Sequence, residues 1–392
     1  MIHLLLAIIY ISFISLGLPD ALLGAGWPAM CADFQVPLSW AGAVSLIIAG
    51  GTIVSSLLSD RMTARFGTAR VTAFSVATTA LALLGFSVSR SYWMLLVWAI
   101  PYGLGAGSVD ASLNNYVALH YASRHMSWLH CMWGVGASIG PYVMGFVLSG
   151  GLGWWMGYQY IGILQLILSI VLFFSLPLWK GRAENSGSTA EETARKPLTF
   201  RQIFAIPGAK EVLIAFFCYC AAEQTAILWS ATYLVNHVGM DEQAAASFAS
   251  MYLVGLTVGR ALSGFLTYKL NDENMIRLGQ GIMLAGIVVM LLPFGVVSAM
   301  AGLMLMGLGC APVYPCVIHS TPEHFGPENS QALIGVQMAA AYMGILTVPP
   351  IFGLIAEHIS VSLLPWYLMV IVGAMIFMCE RLNKKTARQD NT

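Results

Sequence analysis

Apolar stretches of roughly 20 residues recur along the whole chain, separated by short polar breaks, and a helix of that length crosses the hydrocarbon core of a bilayer. Twelve such segments are predicted, six of them at 4–28, 39–59, 71–89, 92–118, 127–150 and 157–178. Six more follow at 209–235, 244–268, 276–294, 297–319, 330–356 and 361–380. Between the two sets, Lys180 to Lys210 is the longest polar stretch, with Glu184, Glu191, Glu192, Arg195 and Lys196 among Ser, Gly and Asn. The expected fold class is therefore an all-α polytopic membrane protein of twelve transmembrane helices in two bundles. Its expected divisions are a six-helix bundle over 1–179, a cytoplasmic linker over 180–208, a second six-helix bundle over 209–381 and a cytoplasmic tail over 382–392.

Composition agrees with this pattern. Of 392 residues, 58% are apolar and 9% charged, against about a quarter charged in soluble domains. So few charges cannot clothe a protein of this size in water, so lipid must be the solvent for much of its exterior. The net charge is zero and no basic stripe with interleaved aromatics occurs, which argues against a nucleic-acid partner. Seven cysteines, an odd number without metal-like spacing, give neither a disulfide framework nor a metal site. No cofactor is expected. The first segment lacks the basic start of a cleavable signal, and Asp20 interrupts the place for a cut, so it reads as a retained helix.

Charge bias orients the chain. With a cytoplasmic N-terminus, the inner loops hold Arg61, Arg65, Arg70, Arg124, Lys180, Arg182, Arg195, Lys196, Arg201, Lys210, Lys269 and Arg277. The tail adds Arg381, Lys384, Lys385 and Arg388, while the outer loops offer only Arg90. This asymmetry puts both termini on the cytoplasmic side. A faint repeat also links the halves: Gly103-Leu104-Gly105 answers Gly307-Leu308-Gly309, and Pro141 with Gly145 answers Pro349 with Gly353. Two parallel six-helix repeats organise some transporter folds. The small residues themselves serve either movement or static packing of helices.

Asp20, Asp110, Glu223 and Arg260 interrupt otherwise apolar segments. Charge at membrane depth is expensive and usually faces a bundle interior or a water-filled path. A carboxyl group held away from water can take up and release a proton near neutrality. That chemistry suits proton coupling by Asp20, Asp110 or Glu223. A structural ion pair, such as Glu223 with Arg260, is the alternative. Asn114 lies one helical turn from Asp110, with Asn115 beside it.

A polar and aromatic set could bind a polyol-like solute: His130 and Trp133, then Tyr219, Trp229, Tyr314 and Gln337. Amides and hydroxyls bond hydroxyls, and an indole face stacks on a sugar ring. Singly, each such residue is more often a packing residue or, for Trp near a helix end, an interface anchor. Trp154 and Trp155 are expected to anchor the outer membrane interface. After the second segment, Asp60, Arg61, Arg65 and Arg70 cluster in a predicted loop. They read as a cytoplasmic latch that a gate must release, or as plain topology signal.

Over essentially the whole chain these features resemble the major facilitator superfamily. Asp60-Arg61 through Gly67 and Arg70 look like a loosened form of its signature between helices 2 and 3, with Ser56 where a glycine is usual. Within it, the chain is most similar to the fucose permease-like sugar:proton symporters. That likeness rests on Leu129-His130, Gly134-Val135-Gly136-Ala137, Gly140-Pro141, Tyr219/Glu223/Trp229, Gly259-Arg260 with Gly264, Gly307-Leu308-Gly309, Ala311-Pro312 and Tyr314-Pro315. The resemblance implies alternating access, solute binding between two bundles and a driving proton gradient, with Asp20 and Asp110 in helices comparable to those that carry the group's acidic residues. Arg260 is assigned with the gating set.

The expected activity is thus secondary active transport of a small polar solute, sugar or sugar-like, coupled to protons, in a bacterial inner membrane. The partners expected are that solute, protons and membrane lipid, and the chain is expected to work as a monomer. Export of hydrophobic compounds and a sodium-coupled or uncoupled carrier remain alternatives. A membrane-embedded enzyme lacks a metal-spaced cluster or nucleophile elbow, and a non-transporting receptor would bind without flux.

Overall fold

The computed structural model describes residues 2–37, 40–185, 197–240 and 242–389, and among these every regular element is helical. In chain order they are α1 (Ile2–Gly17), α2 (Leu22–Phe34), α3 (Ala41–Phe66), α4 (Thr68–Ser87), α5 (Tyr92–His120), α6 (Ser123–Ser149) and α7 (Trp154–Asn185). There follow α8 (Phe200–Ala205), α9 (Ala209–Asn236), α10 (Glu242–Leu266), α11 (Asp272–Met290), α12 (Val296–His319), α13 (Thr321–Phe325), α14 (Pro327–His358) and α15 (Leu364–Gln389). Among the described residues ten spans are long and apolar enough to cross a membrane, with α1 and α2 together forming the first. At the places of the other two expected segments stand α10, whose apolar part Tyr252–Leu266 is shorter, and α11. The surface confirms which solvent the exterior needs: Phe174 is 82% exposed and Val370 73%. Apolar side chains standing out this far are at home in lipid, where only helices and closed barrels satisfy their backbone.

Several helices outrun their apolar stretch. Helix α6 starts at Ser123 and α11 at Asp272, each earlier than hydropathy places it. Polar first turns lie outside the hydrocarbon, yet they continue the hydrogen-bond ladder. At α11 the Asn271 side chain caps the start by accepting the N–H of Asn274 at 3.0 Å. Helix α3 likewise runs on to Phe66, so Asp60, Arg61 and Arg65 sit on its last turns rather than in a loop. The break falls at Gly67, whose φ of 77° suits a residue without Cβ. Arg70 then opens α4.

The expected linker is partly helical. Helix α7 continues to Asn185, and α8 begins under a capping box of Thr199 and Gln202. Residues 186–196, including Glu191, Glu192, Arg195 and Lys196, lie outside the described residues.

The chain forms two compact units: Met1–Tyr116 with Met132–Leu198, and Val117–Cys131 with Thr199–Thr392. The first third of α6, up to Cys131, therefore belongs with the second unit. Inside each unit a Gly-Leu-Gly motif does the same work. In the first, a Cβ on Gly103 would stand 2.1 Å from the Ile48 carbonyl of α3, and one on Gly105 would stand 2.8 Å from Ser75 O of α4. In the second, Gly307 meets Tyr252 O of α10 at 2.3 Å, and Gly309 meets Gly279 O of α11 at 2.7 Å. Both motifs let one helix press its backbone onto two neighbours.

Candidate functional site

The first unit's site begins with a broken helix. Pro19 has no N–H to donate to the carbonyl of Ser15, so the ladder of α1 stops at Gly17 and resumes at Leu22. The turn exposes Asp20 at membrane depth. The second half of α6 lies hard against this turn: a Cβ on Gly136 would be 2.0 Å from Ile14 O, and one on Gly140 equally close to Leu18 O. That contact brings Trp133 over Asp20, where its indole Nε1 donates to Oδ2 at 2.8 Å. From α5, the Tyr102 hydroxyl donates to Oδ1 at 3.4 Å. Both carboxylate oxygens thus accept a hydrogen bond.

Further along α5, Asp110 and Asn114 are buried, and Asn114 Nδ2 donates to Asp110 Oδ1 at 2.8 Å. Asn115 is buried beside them. The Asp60 carboxylate accepts the N–H of Leu198 at 3.1 Å, tying the end of α3 to the residues that lead into α8. Arg65 lies over the Phe66 ring at 5.3 Å, and Arg61 and Arg70 are exposed. Ser56, which stands where the signature has glycine, is buried and reaches towards Gly107 O at 3.4 Å. Gly107 supplies the room that the serine takes.

In the second unit, Arg260 Nη2 meets Glu223 Oε1 at 3.3 Å, with the side chains only 4% and 13% exposed. This is the ion pair that the residue types left open. Tyr219 is fully buried and donates to Cys310 O at 2.9 Å. The Tyr314 ring lies 4.5 Å from that of His130 and 6.0 Å from that of Tyr219. Gln337 is buried and accepts from Thr321 Oγ1 at 3.2 Å, while Trp229 donates to Pro349 O at 3.0 Å. Trp229, Tyr219 and Gln337 are thus engaged in helix-to-helix contacts.

Trp154 departs from the expected interface anchor. It is 3% exposed and donates to Asp33 Oδ2 at 2.7 Å, which pins α7 to α2. Its neighbour Trp155 is exposed. Other residues carry contacts that hydropathy did not single out. Gln165 of α7 donates to Ser15 O at 2.6 Å, and Tyr102 holds Asp20. In the second unit Asp272 accepts from Ser123 and pairs with His319 Nδ1 at 2.5 Å, while His319 Nε2 meets Tyr121 O at 2.9 Å. Lys385, which the sequence offered only as a topology charge, pairs with the buried Glu211 at 2.7 Å. Such polar side chains inside apolar stretches are the signal that points to Gln165 and Tyr102, but their partners lie far away in sequence.

The fold is thus helical and multi-pass, with a carboxylate exposed at a helix break and small residues pressing helices together. The family model described as Major Facilitator Superfamily matches residues 9–304 and 212–391. The chain belongs to that superfamily, which places it among transporters rather than enzymes. It is 23% identical to the uncharacterized transporter y4wD of Sinorhizobium fredii, covering 86% of this chain and 87% of that protein. Among solved structures, one of the E. coli fucose:proton symporter FucP is 13% identical with a TM-score of 0.74, covering 96% of this chain and 98% of that one. The proton:xylose symporter XylE bound to 6-bromo-6-deoxy-D-glucose is 14% identical with a TM-score of 0.77, covering 96% and 94%. At these identities the two symporters share the fold.

Proposed function

We propose that this chain moves a small polar solute, a sugar or sugar-like compound, by proton-coupled alternating access. The observation that carries the reading is Asp20, a membrane-depth carboxylate that is exposed yet held by Trp133 and Tyr102. Both oxygens accept a hydrogen bond, and a proton bound to either one withdraws the charge that strengthens those bonds, so protonation loosens the hold of Trp133 and Tyr102. Loss of the Trp133 bond frees an indole N–H beside a ring face, which is the equipment for a sugar hydroxyl and the apolar side of its ring. Proton and solute then share one device: the proton cancels the charge and releases the group that meets the solute.

Asp110 with Asn114 and Asn115 forms a second acidic and amide group on α5, and protonation there likewise removes a buried charge. His130, Tyr314, Tyr219, Trp229 and Gln337 are the second unit's candidates for solute contact. Glu223 is less suited to shuttling a proton than Asp20, because Arg260 holds its charge. Asp60, Arg61, Arg65 and Arg70 are assigned to the gate. The structural likeness to symporters described as carrying fucose and xylose supports the solute class. The bacterial relative and the distribution of basic residues support a cytoplasmic membrane with both termini inside. The divisions proposed remain 1–179, 180–208, 209–381 and 382–392, working as a monomer in lipid.

The test is uptake into proteoliposomes with an imposed proton gradient, screened over hexoses, pentoses and deoxysugars. Accumulation that collapses with the gradient but not with removal of sodium supports the proposal. Uptake indifferent to a protonophore, or driven by sodium, overturns the coupling; resistance to apolar drugs without sugar uptake overturns the solute class.

A further inference from the structure

Within the first unit, a small cavity lies behind the break in the first helix. Its walls include Ser12, Ser15 and Pro19, with Thr79 of α4, Tyr102 of α5 and Gln165 of α7. It leaves ≈ 10 Å³ in which the centre of a water-sized molecule can sit, which is about what one buried water needs. Gln165 is 2% exposed. The Ser15 carbonyl can only accept, so it draws the amide nitrogen of Gln165 to itself, and the amide oxygen is left as the other end. That oxygen is buried without a protein partner. Three of the nearby hydroxyls are already spent as donors: Ser12 donates to Ile8 O at 2.8 Å, Thr79 to Val76 O at 2.9 Å, and Tyr102 to Asp20. These three wall hydroxyls therefore have only an acceptor left to offer.

We propose that this cavity is a binding site for a single ordered water, which donates one hydrogen to Gln165 Oε1 and the other to a hydroxyl oxygen of the wall, that of Tyr102 being the one in line with Asp20. A neutral double donor matches the site. No carboxylate lines the cavity to balance a cation, whereas an unpaired carbonyl oxygen in a dry interior carries the full cost of its lost hydration. The water joins α7 to α5 and completes a directed chain from water to Tyr102 to the Asp20 carboxylate. It also gives the proline break a second consequence. The carbonyl freed by Pro19 orients Gln165, and Gln165 orients the water.

The site stands whether or not transport is proton-coupled, and its test needs no transport. A structure of the full chain in lipid, at a resolution that shows ordered water, should reveal a peak about 2.7–3.2 Å from Gln165 Oε1. The peak should vanish in Gln165→Leu. Should that variant fail to fold, Val76→Ile narrows the same cavity without removing a hydrogen bond and should expel the peak as well. An empty cavity in the unaltered protein, a peak ringed at cation-like short distances by many oxygens, or a peak that survives in the folded variants would overturn the proposal.

Discussion

Gln165 donates to the main-chain oxygen of Ser15 across 2.6 Å, and that oxygen is the one that Pro19 cannot serve. A side chain from the last long helix of the first unit thus completes the hydrogen bonding of the first. In a membrane this matters more than in water, because a freed carbonyl there finds no solvent.

The relationship predicts a specific non-additivity. Gln165→Leu should cost about 1–3 kcal/mol of stability, the penalty of leaving a buried acceptor unpaired. In a Pro19→Ala background the new N–H can bond Ser15 O, and the same change should cost much less. A double-mutant cycle by unfolding in detergent measures this, and equal costs in both backgrounds would refute the link.

The close approach of α6 to the broken helix predicts a contrast between two glycines. Gly136→Ala places a methyl group against Ile14 O, where only 2.0 Å is free, and should destabilise by about 1–3 kcal/mol. It should also lower uptake by shifting Trp133 from Asp20. Gly145 lies on the same helix with nothing within 4 Å of its would-be Cβ. Gly145→Ala should be neutral or stabilising by up to about 1 kcal/mol. Thermal unfolding of both variants checks the pair.

Asp20→Asn should abolish accumulation driven by a proton gradient while leaving exchange of labelled for unlabelled solute. Trp133→Phe keeps a ring but loses the N–H donor. It should raise the KM for the solute about tenfold or more, the effect of losing a hydrogen bond worth about 1.5–3 kcal/mol. Retained gradient-driven accumulation in Asp20→Asn would remove Asp20 from the coupling step.

The Glu223–Arg260 pair is buried, so breaking it from one side should be severe. Glu223→Met alone or Arg260→Met alone should cost about 3–5 kcal/mol, since each leaves a charge without its partner. The double variant should regain most of that loss. If the single variants are as stable as the unaltered protein, the pair is not closed in the membrane.

Much of the fold was legible because lipid imposes a simple rule: a spanning stretch must be apolar and must bond its own backbone. Thus the runs around Leu4, Trp98, Leu168 and Leu303 announced helices without any knowledge of their neighbours. The ends were less legible. Asp60 and Arg61 look like loop residues by polarity, yet they continue α3, because a helix ladder does not stop where the hydrocarbon does. Trp154 has the composition of an interface anchor, but its burial depends on Asp33, which lies 121 residues away.

The site divides in the same way. Asp20, Asp110, Glu223 and Arg260 stood out from sequence alone, because charge in an apolar run is costly and therefore conspicuous. Their partners did not. Nothing local says that Trp133 and Tyr102 hold Asp20 or that Gln165 serves the carbonyl freed by Pro19, and the pairing of Glu223 with Arg260 was one of two readings that the residue types left open. By itself, then, the sequence determined the helical membrane class, the spans and the ionisable positions, all of which follow from the cost of polar groups in lipid. Only the tertiary structure decided which donor meets which acceptor, because those contacts depend on how closely glycine-bearing helices approach, and that distance is a property of packed neighbours.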